Sequence, residues 1–86
     1  MAKKKTDKKD DLDPRILEIS KTLKQMRINA GYTSYENFAV AKGLKRMQYW
    51  RMEKGTNFTM TSLLRILDAH GVTLNDFFSI ADSRKK

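Results

Sequence analysis

The chain has 86 residues, with 18 Lys and Arg against 10 Asp and Glu, a net charge of +8 and a pI near 9.9. That length holds one small domain, and the lack of cysteine excludes disulfides and thiolate metal sites, so helix packing has to supply its stability. A single histidine, His70, excludes a histidine–cysteine metal cluster and leaves any Ser-His-Asp arrangement dependent on one helix-end imidazole; no enzyme activity, metal or cofactor is expected.

The charge is spread along the chain. Residues 1–11 carry an excess of +2, residues 12–80 an excess of +4 and residues 81–86 an excess of +2. Half of the excess therefore belongs to the part expected to fold, and attraction to a polyanion does not depend on the ends alone. Met1 to Asp11 is poor in apolar residues and reads as a disordered basic tail that adds nonspecific phosphate attraction. No apolar run approaches the roughly twenty residues of a membrane span, and MAKKKTDKKDD lacks the apolar stretch of a secretory signal. The expectation is a soluble cytoplasmic protein with no membrane partner.

Asp13 as N-cap and Pro14 at the first helical position predict a helix from there to about Ala30, stopped by Gly31. Leu12, Ile16, Ile19, Leu23, Met26 and Ala30 recur at helical spacing and give it one apolar stripe, read as core; the same spacing leaves pairing with a second copy open. A second helix over Tyr35–Lys42 has two candidate caps. Thr33 has capping-box spacing to Glu36, but Ser34 places Phe38 and Ala39 better and is preferred. A third helix spans about Arg46 to Lys54 and ends at Gly55, and Thr56-Asn57-Phe58 forms a loop. Thr59 caps a fourth, Met60 to His70, with Leu63, Ile66 and Leu67 inward and His70 complementing the C-terminal dipole; Gly71 ends it. Thr73 and Asp76 form a capping box for a fifth helix, and Val72 and Phe77 have the spacing of a hydrophobic staple. This helix contributes Leu74, Phe77 and Phe78, and the chain frays from Ala81 into a flexible basic tail over 81–86. No segment alternates with period two, so the class is all-α.

Ser34 to Lys54, SYENFAVAKGLKRMQYWRMEK, reads as a helix-turn-helix. Ala39 supplies the small residue where two helices cross, Gly43 the residue tolerant of positive φ in the turn, and Leu44 the plug behind it. Tyr49 and Met52 face inward. Lys45, Arg46, Met47, Trp50 and Arg51 are left outward, a cationic and aromatic surface of the kind a recognition helix presents to the major groove.

With LKQMR before the second helix, FAVAKG within it, EKG closing the third and GVTLNDFF forming the last, the stretch from about Leu23 to Phe78 resembles the Cro/CI-like, or XRE, family of phage repressors and bacterial regulators. The resemblance implies a compact five-helix bundle of the lambda-repressor-like type that binds double-stranded operator DNA as a homodimer. It implies base reading by Lys45, Arg46 and Met47, with Gln48 close by and Arg51 one turn further along. Arginine or lysine donates to guanine O6 and N7, and Met47 lies against a thymine methyl, so a G-containing half-site is expected. Ser34 and Tyr35, and the loop at Lys54, Thr56 and Asn57, match regions that hold phosphates in relatives, where exposed helix-start N–H groups favour anions. Tyr35 stands where many relatives have glutamine. Arg27 and Glu53 match an ion pair between the first and third helices. Trp50 has two readings, beside the DNA backbone or folded over Tyr49.

The function expected is a sequence-specific DNA-binding transcriptional regulator, most simply a repressor. The alternative is an antitoxin-like or anti-regulator subunit that engages a protein partner, with DNA binding secondary. Phe78 and Ile80 make the fifth helix the first candidate for a dimer surface, ahead of the first helix.

Overall fold

The computed structural model describes residues 12–84, so the predicted N-terminal tail over 1–11 and the last two lysines lie outside the described residues. Among the described residues there are five helices and no strand: α1 Pro14–Asn29, α2 Tyr35–Lys42, α3 Arg46–Lys54, α4 Met60–His70 and α5 Leu74–Arg84. None of them is long and apolar enough to cross a membrane.

Local hydrogen bonds set these boundaries. Asp13 Oδ1 accepts from the Arg15 N–H at 2.8 Å, and the Arg15 guanidinium folds back to Asp13 Oδ2 at 2.7 Å. The Arg15 side chain first, and its backbone N–H second, hold the Asp13 carboxyl down at about 2. Ser34, rather than Thr33, caps α2: its Oγ accepts from the Asn37 N–H at 2.9 Å. Thr59 Oγ1 accepts from Ser62 N–H at 3.1 Å to open α4, and Thr73 Oγ1 from Asp76 N–H at 3.0 Å to open α5. The return half of the Thr73–Asp76 box is long, 3.5 Å. At the end of α2, Gly43 takes φ +69° and lets the Leu44 N–H reach back to the Ala39 carbonyl at 2.8 Å. Gly55, which ends α3, combines φ +104° with a crowded site, where a Cβ would stand 2.7 Å from Leu17 Cδ2.

The core is built from Leu23 and Met26 of α1, Phe38 and Ala39 of α2, Tyr49 and Met52 of α3, Leu63, Ile66 and Leu67 of α4, and Phe77 of α5. α1 packs against α3 and α5, α2 against α3, and α4 against α5. Phe38 is its aromatic hub. Tyr32 meets it edge-on at 5.3 Å, Tyr49 lies tilted at 5.1 Å and His70 is stacked at 4.9 Å between ring centroids. Complete burial of a side chain this large contributes about 1.5–3 kcal/mol from area alone.

Three expectations differ from the structure. The apolar stripe is buried only at Leu23 and Met26: Leu12, Ile16 and Ile19 are half-buried, and Ala30, just past the end of α1, is exposed. On α5 the inward line is the i, i+4 pair Phe77 and Ala81, while Leu74 and Phe78 remain 39% and 43% exposed on its flank. α5 therefore continues as helix to Arg84 with Ala81 buried, beyond the point where a tail was expected to begin. His70 lies in the last turn of α4, where it was expected. Its ring turns onto Phe38, where burial first and Lys42 second push its pKa down, and Nε2 has no hydrogen-bond partner among the described residues.

This last contact makes stability pH-dependent. The folded-state pKa of His70 lies below its unfolded value near 6.5, so the unfolded chain binds more protons as pH falls through that value. The contribution is complete above about pH 6.5 and is lost as pH falls below it. Urea midpoints should decline from about pH 7.5 to 5.5 in the wild type, and His70→Gln should flatten this slope whatever its absolute stability.

Candidate nucleic-acid interface

α3 has two faces with opposite tasks. Tyr49 and Met52 are 1% and 2% exposed and fasten it to the core, whereas Lys45, Arg46, Met47, Gln48, Arg51 and Lys54 are exposed. All five expected base readers are thus exposed, four at the start of α3 and Arg51 in its last turn.

A buried ion pair fixes the angle of this helix. Arg27 of α1 donates from Nε to Glu53 Oε2 at 2.8 Å and from Nη2 to Oε1 at 3.1 Å, a two-pronged contact with side chains only 6% and 7% exposed. Arg27 Nη1 also donates to the Tyr32 carbonyl at 2.8 Å, so one guanidinium holds α1, the α1–α2 connection and α3 together. The Glu53 hydrogen bonds raise the Arg27 pKa further. The buried Tyr49 hydroxyl has no hydrogen-bond partner among the described residues; burial first, and then the nearby Glu53 carboxylate, push its pKa far above the usual phenol range.

The edges of the exposed face are held by neighbours. On the α2 side, Glu36 Oε2 lies 3.6 Å from Arg46 Nη1, and the Tyr35 ring lies 6.2 Å from that of Trp50 at a tilt of 46°. On the α4 side, Gln48 Nε2 donates to Ser62 Oγ at 2.9 Å, and Ser62 Oγ lies 3.0 Å from Thr59 Oγ1. The Trp50 ring is met by Tyr35 and Lys54 rather than folded over Tyr49. It is half-buried between α2 and the end of α3, with Lys54 Nζ 5.3 Å from its ring, a cation–π distance.

The expected phosphate contacts fall in two groups, one at the start of α2 and one after the end of α3. Ser34 and Tyr35 open α2, with the Ser34 hydroxyl engaged as a cap and Tyr35 half-buried. Beyond α3, Thr56 and Asn57 border a shallow groove of ≈ 250 Å³ lined also by Gln48, Arg51 and Ser62, which leads to the first turn of α4. Lys54 sits over Trp50 instead of in this groove. Three residues that sequence reasoning missed complete the arrangement: Glu36, Ser62 and the Tyr32 carbonyl. Thr59 was visible as a cap, but its link through Ser62 to Gln48 joins residues fourteen apart and has no local signature.

Among the described residues no group of three or more His, Asp or Glu is placed to hold a metal ion. No protein-family model matches the chain, and no curated protein and no solved structure matches it. What the chain does must be read from its own residues.

Replacing Arg27 with methionine leaves Glu53 buried without its partner and should cost roughly 3–5 kcal/mol in urea unfolding. The double replacement Arg27→Met with Glu53→Leu should recover a large part of that loss, since a hydrophobic pair of similar volume avoids desolvating two charges.

Proposed function

We propose that this chain is a sequence-specific double-stranded DNA-binding transcriptional regulator of the Cro/CI-like kind, acting in the cytoplasm as a homodimer and most simply as a repressor. The observation that carries this reading is the pairing of faces on α3: an inner side anchored by Tyr49, Met52 and Glu53, and an outer side that leaves Lys45, Arg46, Met47 and Arg51 exposed together. A rigid helix with a cationic outer face is what entry into the major groove requires, because phosphate attraction draws it in and side chains near its N-terminus reach base edges.

In this role α3 lies in the groove. Arg46 and Lys45 donate to guanine, Met47 lies against a thymine methyl, and Arg51 reaches bases or phosphate one turn later. The starts of α2 and α4 hold the backbone on either side through exposed N–H groups. Trp50 lies beside the flanking backbone as an apolar wall, set by Tyr35 and Lys54. The protein binds and does no chemistry on the DNA.

Two copies are needed for two half-sites about one helical turn apart. Phe78 and Ile80, 43% and 39% exposed on α5, provide the apolar surface for that pairing. The same side chains favour the second reading, an antitoxin-like or anti-regulator subunit whose α5 engages a different protein.

Selection from a randomised duplex library should enrich a two-fold symmetric site with guanine in each half. Arg46→Ala should lose or relax that guanine, at a cost of about 1–3 kcal/mol, while residual binding stays salt-sensitive. No enriched site, with equally weak binding by both proteins, would reject the reading. Phe78→Glu should turn a dimer into a monomer in sedimentation and weaken binding to the full site far more than to a half-site; a wild-type monomer that captures no second copy would favour the second reading.

A further inference from the structure

α3 begins with charges that its own helix disfavours. Lys45 occupies the N-cap without a side-chain cap bond, Arg46 is the first helical residue, and no acid lies in the first turn. The positive end of the peptide dipoles points there, so both cations work against helix stability. Glu36 answers them from the neighbouring helix, with Oε2 3.6 Å from Arg46 Nη1. These side chains are 55% and 60% exposed, and a pair so exposed contributes little to stability. One turn along the same edge of α3, Trp50 is met by Tyr35, the residue before Glu36. The first turn of α2 therefore runs beside the Arg46–Trp50 edge, which places Glu36 within reach of Arg46.

We propose that Glu36 is a positioning residue that makes Arg46 selective for guanine; this rests on the DNA-reading function proposed above. The guanidinium presents its donors in a rigid planar fork. A carboxylate engaging Nη1 leaves the Nε and Nη2 edge free and restricts the rotamers of a long side chain, so that this edge meets the guanine O6 and N7 acceptors two-pronged. Without the carboxylate, Arg46 would swing to any phosphate within reach. With it, the phosphate-bound arrangement brings two anions together and is penalised, whereas guanine acceptors carry only partial charge. Glu36 thus lowers nonspecific affinity and raises discrimination, an unfavourable element directed at wrong sites. A role confined to the α2 dipole would alter stability and leave base preference untouched.

The test compares the wild type, Glu36→Gln and Asp68→Asn by selection from a randomised duplex library and by salt titration on a fixed random duplex. Asp68 is an exposed acid on α4 and controls for the loss of one negative charge. Glu36→Gln should bind the random duplex several-fold more tightly, with a steeper salt dependence, and should lose about ten-fold in preference for guanine at one position of each half-site. Asp68→Asn should keep the preference, and Glu36→Gln should relax it whatever the change in its urea midpoint. A site enriched by the wild type and read by Glu36→Gln with unchanged preference, or relaxed equally by Asp68→Asn, would overturn the inference and leave the proposed function standing. No enriched site for the wild type would overturn both.

Discussion

The two-pronged pair between Arg27 and Glu53 is the constraint on which the useful geometry of this domain depends. Apolar contacts at Tyr49 and Met52 hold α3 against the core, but apolar packing is non-directional and tolerates rotation. The guanidinium and carboxylate planes do not. Their bonds of 2.8 and 3.1 Å, with a third from Arg27 to the Tyr32 carbonyl, tie the end of α3 to α1 and to the approach of α2. A buried ion pair is a weak source of net stability, because desolvation consumes most of the Coulombic gain. Its value here lies in orientation, since the residues exposed on this short helix are three cations, a methionine and a glutamine, with Lys45 at its N-cap.

That helix departs from the rules that the rest of the molecule follows. α1, α2, α4 and α5 each begin with a side-chain cap from Asp13, Ser34, Thr59 or Thr73, whereas α3 begins with Lys45, which caps nothing, and Arg46. Helix starts elsewhere are arranged for stability; this one is arranged against it. Locally inconsistent chemistry inside an otherwise consistent domain is expected where a ligand completes the charge balance, and a polyanion laid across the N-terminus of α3 would do so. The neighbours make that start less free than the helix alone implies: Glu36 borders it on one side, and Ser62 holds Gln48 on the other.

The caps were legible because their chemistry is local. An N-cap oxygen meets an N–H two or three residues on, and Gly43 and Gly55 announce positive φ, so the limits of α1 to α4 could be read to within a residue, whereas the end of α5 could not. Arg27 and Glu53 are 26 residues apart, and their pairing came from family resemblance rather than from any pattern in the chain. What stayed hidden depends on tertiary placement. The turn of His70 onto Phe38, the seat of Trp50 between Tyr35 and Lys54, and the approach of Glu36 to Arg46 follow from how α2 lies across its neighbours, which periodicity does not encode. Ala81 was misjudged for a related reason. Its polar successors suggested fraying, but it sits one turn after Phe77, on the line that faces the core.

The most direct test of the central claim, that the outward face of α3 is the surface that meets DNA, is a map of backbone amide shifts by NMR as duplex DNA is titrated into labelled protein. The account predicts that the largest changes fall on Lys45 to Arg51, with smaller ones at Ser34 to Glu36 and Thr56 to Ser62. Changes confined to α5, or spread evenly over exposed lysines with α3 unmoved, would contradict it.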